Sequence, residues 1–137
     1  MEQSFGPHVT IDATKCDFVK LASRELVLGI LNQLPAKLSM TKIMEPLVIE
    51  WVDKFATSPG YSGFVMIAES HISVHTFPDQ DYVFIDIFSC RYFDTQKAID
   101  YLTEAFGARE VTTNIVQRGL NFDRAKCVKP KSKVNAR

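Results

Sequence analysis

From His8 to Ala13 the chain alternates, with Val9, Ile11 and Ala13 apolar and His8, Thr10 and Asp12 polar. That is the period of a half-buried strand. The period then lengthens. Phe18, Leu21, Ala22, Leu28 and Leu31 share one broad helical face, with Asp17 placed to cap it and Pro35 placed to end it, so a helix is expected to about Gln33. β-Branched and bulky residues between Thr41 and Val52 suggest a strand despite Pro46, and Ser58-Pro59-Gly60 reads as a turn. Phe64-Val65-Met66-Ile67 is a continuous apolar run, the pattern of a buried strand. His71 to His75 alternates again, as does part of Tyr82 to Phe88. Asp94 or Thr95 opens a second helix through Phe106, Gly107 supplies a left-handed cap, and Glu110 to Val116 reads as a last strand.

This order predicts an α+β fold, a two-layer sandwich in which two main helices cover one face of an antiparallel sheet. The other face is short of polar residues, which favours a homodimer. At 137 residues the chain, 1–137, is a single domain with enough material for a real core.

Composition removes several classes of function. A hydrophobic share of 46% against 23% charged is ordinary for a globular protein and excludes wholesale disorder. Sixteen basic residues offset sixteen acidic ones, so no overall field draws nucleic acid or an anionic membrane. Only the tail from Lys126 to Arg137 is locally basic, as a frayed, solvated terminus would be. The start, MEQSFGPHV, lacks the charged and apolar regions of a secretory signal, and the apolar runs are too short to span a bilayer. A cytoplasmic location is therefore expected. Cys16, Cys90 and Cys127 are odd in number and form no CxxC pair, as suits reduced thiols.

The chemically interesting side chains crowd into Ser62–Cys90. Zinc binding by His71, His75 and Cys90 is one reading. On a regular strand, however, two histidines four apart stand ~13 Å apart, too far to share one ion at about 2 Å. No metal is expected. The bland reading makes these residues the wet face of a strand with a small thiol as filler, and it suffices for His71, Ser73 and Ser89 taken singly, and for Cys16 and Cys127.

A third reading rests on Glu69-Ser70-His71-Ile72-Ser73-Val74-His75-Thr76, preceded by Ser62-Gly63 and followed by Ile85-Asp86-Ile87-Phe88-Ser89-Cys90. Gly6-Pro7-His8 lies before this core and Gln117-Arg118-Gly119 after it. Together these resemble the prokaryotic S-adenosylmethionine decarboxylases, which are pyruvoyl-dependent and cut themselves. The resemblance covers most of the chain, losing definition between Leu34 and Phe55 and after Asn121.

It implies cleavage between Glu69 and Ser70, giving chains 1–69 and 70–137. The Ser70 hydroxyl would attack the preceding carbonyl and turn an amide into an ester. An ester undergoes β-elimination that an amide resists, so serine supplies both nucleophile and leaving oxygen. His75 matches the residue that handles the proton in the elimination, and an imidazole titrates near enough to neutrality for that work. Ser62 matches a serine that hydrogen-bonds the developing oxyanion. Hydrolysis then leaves a pyruvoyl group derived from Ser70, whose carbonyl forms a Schiff base with the substrate amine and takes up electrons as CO2 departs. Cys90 matches the donor that reprotonates the α-carbon. Because Ser70 and His75 have opposite parity on a flat strand, a bulge, a bend or a rearrangement after cleavage must bring them together.

The implied substrate is a small amino acid derivative, S-adenosylmethionine first, on the way to spermidine. Phe77-Pro78-Asp79 stands where many members carry tryptophan-proline-glutamate, which makes Phe77 and Asp79 the expected substrate-binding pair. Gln117 replaces a frequent glutamate and Arg91 a common glycine. With these departures, an arginine or ornithine decarboxylase is the enzymatic alternative, and a non-catalytic paralogue regulating a partner subunit the other.

Overall fold

A computed structural model describes residues 4–127, the side chain of Cys127 excepted. Most of the basic tail thus lies outside the described residues. The elements run β1 (Gly6–Thr14), α1 (Phe18–Leu21), α2 (Arg24–Lys37), β2 (Leu47–Trp51), β3 (Gly60–Ile67), β4 (Ser70–Phe77), a 3-10 turn (Pro78–Gln80), β5 (Tyr82–Phe88), α3 (Thr95–Phe106), β6 (Glu110–Arg118) and α4 (Arg124–Cys127). The six strands form one antiparallel sheet in the order β2-β3-β4-β5-β1-β6. The α+β expectation holds, with α2 and α3 as the two main helices.

Alternation decides which face they cover. Val9 and Ile11 of β1, Val65 of β3, Ile72 and Val74 of β4, and Val83 and Ile87 of β5 are all fully buried. Leu31 and Leu34 of α2 and Leu102 and Phe106 of α3 close over them. A buried aliphatic side chain of this kind contributes roughly 1.5–3 kcal/mol, so this layer carries the fold.

The expected first helix is two. Asp17 caps only α1, through a 2.9 Å bond from the Val19 N–H. Ser23 then starts α2 by accepting from the Leu26 N–H at 3.0 Å. Phe18 consequently leaves the apolar face and stands 45% exposed. Pro35 does not end the helix; it sits in its last turn, and its carbonyl still accepts from the Leu38 and Met40 N–H groups at 3.0 and 2.8 Å. Of the strand expected over 41–52, only Leu47–Trp51 forms, directly after Pro46, which has no N–H for a ladder. Gly60 belongs to β3 rather than to a turn. The run from Phe64 to Ile67 is not buried throughout: Val65 and Ile67 are, whereas Phe64 and Met66 face the open side.

Asp94 caps α3 by accepting from the Lys97 N–H at 3.0 Å, and Gly107 ends it at φ 62°, a left-handed geometry glycine adopts without cost. No helix among the described residues is long and apolar enough to cross a membrane.

Candidate active site on the open face of the sheet

The open face has two chemical regions, one at each end of β4. The first is built around the two-residue turn Ala68–Glu69 that joins β3 to β4, with Ile67 paired to Ser70 across it. The turn sets the Ser70 hydroxyl as a donor against the carbonyl oxygen of the residue before it, Glu69. Register delivers the thiol. β5 pairs with β4 so that Phe88 lies opposite His71, and carrying that antiparallel register two steps further sets Cys90 opposite Glu69. The Glu69 N–H indeed donates to Cys90 Sγ at 3.3 Å. β1 braces the loop from the side, as the neighbour of β5 in the sheet: the Ser89 N–H donates to the Pro7 carbonyl at 3.1 Å. A Cβ on Gly6 would stand 1.9 Å from the Ser89 carbonyl oxygen, so only glycine lets β1 pass there. Ser89 itself is buried rather than on a wet face.

Beside this turn lies a broad cavity of about 720 Å³, walled by Phe64, Met66 and Phe88 and carrying Ser70, His71 and Arg118 on its rim. A polar row leads away from it across four strands. Asp86 accepts from His8 Nε2 at 2.7 Å, from His71 Nε2 at 2.8 Å and from the Ser73 hydroxyl. Burial works to raise the Asp86 pKa, but these donors outweigh it and hold the carboxyl below its ordinary value. Arg118 donates to His8 Nδ1 at 3.1 Å and lies over the Phe88 ring at 4.2 Å. His8, His71 and Asp86 are close enough together to hold a metal ion. The hydrogen bonds argue for another use. A guanidinium can only donate, so His8 Nδ1 must accept, and the ring proton then sits on Nε2, the atom a metal would need.

The second region is the far half of β4. Ser62 of β3 lies opposite His75, and His75 Nδ1 meets Ser62 Oγ at 2.9 Å. A second cavity, about 470 Å³, opens beside them and is lined by Trp51, Phe55, Ser62, Phe77 and Asp79 among others. Phe77 is 47% exposed and meets Phe84 edge to face, with centroids 5.7 Å apart. Asp79 accepts from the Thr57 N–H at 2.7 Å and from its hydroxyl at 2.9 Å, which pulls its pKa down and binds the 57–58 bend to the cavity rim.

The chain therefore unites Ser70, Glu69 and Cys90, and separately Ser62, His75, Phe77 and Asp79. It does not unite Ser70 with His75. Five strand positions separate them, about 17 Å at ~3.4 Å per residue, and no bulge interrupts the β3–β4 pairing from Ser62 to Ser70. Of the expected devices, neither a bulge nor a bend is present in the uncut chain. Cys16 is buried, and burial, with the nearby Asp81 charge, pushes its thiol up to about 11, which leaves it inert.

Sequence reasoning gave no role to Trp51, Phe55, His8, Asp86 or Arg118. His8 and Arg118 stood inside the quoted motifs Gly6-Pro7-His8 and Gln117-Arg118-Gly119 and could have been found there. Phe55 lies in a loop without period and carried no signal.

Comparison with known proteins bears on this arrangement. The family model described as S-adenosylmethionine decarboxylase matches residues 7–119. The S-adenosylmethionine decarboxylase proenzyme of Clostridium botulinum is 37% identical over 115 residues, 83% of this chain and 94% of that protein. The protein of the same name from Anoxybacillus flavithermus is 36% identical over 117 residues, 85% of this chain and 90% of its own. The crystal structure of adenosylmethionine decarboxylase from Aquifex aeolicus superimposes with a TM-score of 0.72 at 24% identity, covering 85% of this chain and 92% of that one, a likeness of fold.

Proposed function

The chain belongs to the S-adenosylmethionine decarboxylase family of carboxy-lyases, made as proenzymes, and we propose that it matures by cutting itself between Glu69 and Ser70. Its reaction is the loss of CO2 from S-adenosylmethionine, a step of polyamine synthesis. Nothing in the comparisons favours arginine or ornithine as substrate. One observation carries the self-processing reading: the Ser70 hydroxyl rests against the Glu69 carbonyl while the Glu69 N–H holds the Cys90 thiol.

Attack by Ser70 Oγ on the Glu69 carbonyl carbon forms the ester as the C–N bond breaks. A base then removes the Ser70 α-proton, the C–O bond breaks, and Glu69 departs as the carboxyl end of residues 1–69. Hydrolysis releases ammonia and leaves a pyruvoyl group at residue 70. That group supplies an electrophilic carbonyl that engages the substrate amine and accepts the electron pair CO2 leaves behind. The residues around it fit this use: the Cys90 thiol stands at the cleavage turn, within reach to return a proton to the α-carbon, and the cavity beside it is largely apolar.

Ser62 and His75 fit the elimination step, as a donor to the oxyanion and as the proton carrier. Since they lie a strand's length from Ser70 in their own chain, they serve the turn of a second copy. The open face is suited to such a homodimer. Leu47, Ile49, Trp51, Phe64 and Met66 expose apolar surface there, and a patch of that kind marks an association surface. Phe77, with Phe55 across the same cavity, is available to stack on an adenine.

Mass spectrometry of the purified protein under denaturing conditions tests this. Two fragments, 1–69 and 70–137, are expected, with Ser70→Ala remaining one chain. Cys90→Ala should still cleave while releasing CO2 from S-adenosylmethionine about 10²-fold or more slowly, the ordinary worth of a positioned proton donor. An intact wild-type chain that still decarboxylates would overturn the proposal.

A further inference from the structure

We infer that Arg118 is the group that receives the α-carboxylate of the substrate. The inference rests on the reading above, because it takes residue 70 as the point where the substrate amine is held. An amino acid tethered there by nitrogen must carry its carboxylate into the adjoining cavity. Ile43, Phe64, Met66, Ile67 and Phe88 offer that anion no partner, and an anion facing apolar walls needs one. Among the charged side chains on that rim, Glu69 has the wrong sign, and His71 is committed to Asp86.

Arg118 remains, a permanent cation, and it forms no ion pair with a carboxylate among the described residues. Its pose suits the task. Phe88 covers one face of the guanidinium at 4.2 Å, and His8 takes one donor of Nη1 at 3.1 Å. Asp86 anchors His8 from the far side at 2.7 Å. Two contacts thus fix the plane and one corner, leaving the remaining N–H groups in the fork geometry that matches a carboxylate. The row His71-Asp86-His8 then acquires a purpose: it positions the cation at the mouth of the cavity. Such recognition is made to the ground-state anion, so it should govern binding more than the chemical step.

The test compares processed wild type with Arg118→Ala and Arg118→Lys, using three ligands. These are S-adenosylmethionine, its methyl ester and its decarboxylated product; the last two keep the amine and the adenosine but lack the negative charge. For Arg118→Ala the KM for S-adenosylmethionine should rise about tenfold to a hundredfold, the worth of a charge-assisted contact, with kcat less affected. Calorimetric Kd values for the ester and the product should stay within about twofold of wild type, since each lacks the group that Arg118 would hold. Arg118→Lys should recover part of the loss. An unchanged KM, or equal weakening of all three ligands, overturns the assignment. The fragment masses of the same samples separate the two levels: an uncut wild type brings down the parent reading, whereas a cut enzyme indifferent to Arg118 brings down this one alone.

Discussion

The two ends of β4 differ in how they are made. At the Ser70 end, the backbone sets the arrangement: a two-residue turn, a register that carries Cys90 to Glu69, and a glycine that lets β1 run close beside Ser89. At the His75 end, side chains do the work: one hydrogen-bonded pair across two strands, an aromatic cavity, and an aspartate tying down a bend. The first is suited to self-processing, which needs one fixed attack line on the chain's own peptide. The second is suited to receiving something from outside. The groups proposed for self-processing are thus divided between the two ends, with a strand's length separating them.

Complementation breaks that comparison most sharply. If each end works on the opposite end of a second copy, co-expressed Ser70→Ala and His75→Ala chains should cleave the Ser70-bearing chain and regain decarboxylation, from a background near zero in either variant alone. Fragment masses and released CO2 measure it. No recovery in the mixed sample would mean that one chain gathers its own groups by a rearrangement.

A smaller effect sharpens the contrast at the His75 end. Stacking of a base on an aromatic ring is worth roughly 1–3 kcal/mol. Phe77→Ala should therefore raise the KM for S-adenosylmethionine about tenfold while leaving cleavage intact, because the ring has no part in the acyl shift. Thermal melting distinguishes this from plain loss of packing against Phe84: lower stability with an unchanged KM would assign Phe77 to structure.

The smallest effect concerns Asp86, the centre of the polar row that holds His8, His71 and Ser73. Its pKa is depressed in the folded protein, so its stabilisation is present above the unfolded carboxyl value of about 3.9 and is lost as pH falls through the folded value. Melting temperatures taken from pH 6 down to pH 3 should fall less steeply for Asp86→Asn than for wild type. Parallel curves would remove the aspartate from the acid limb of stability.

Much of this was legible in the sequence because alternation is a local signal. β1, β4, β5 and α3, with its Asp94 and Gly107 ends, could be read within a few residues of where they fall. The misreadings were of competing local chemistry. Ser23 offered a second cap that split the first helix, and Pro35 kept a useful carbonyl. Ser70, Cys90 and His75 were recognisable as a set through resemblance, and the separation of Ser70 from His75 along one strand was already legible; which partner joins each was not, because Cys90 at Glu69 depends on β4–β5 register and Ser62 at His75 on β3–β4 register. Arg118 lay within a recognised motif, but its task did not show, because it depends on pairing with β1 at the other end of the chain.

The strand order has one more consequence, for the protein as a pair of polypeptides. A cut between Glu69 and Ser70 would leave β1, β2 and β3 on one chain and β4, β5 and β6 on the other. In the order β2-β3-β4-β5-β1-β6, the neighbours β3-β4, β5-β1 and β1-β6 would then join different chains, three of the five pairings in the sheet. β1 would lie threaded between two strands of its counterpart. The nicked protein should hold together without a covalent link, yet its refolding would become a second-order reaction that dilution slows. Maturation would thus trade a chain able to refold alone for a woven pair that must find itself.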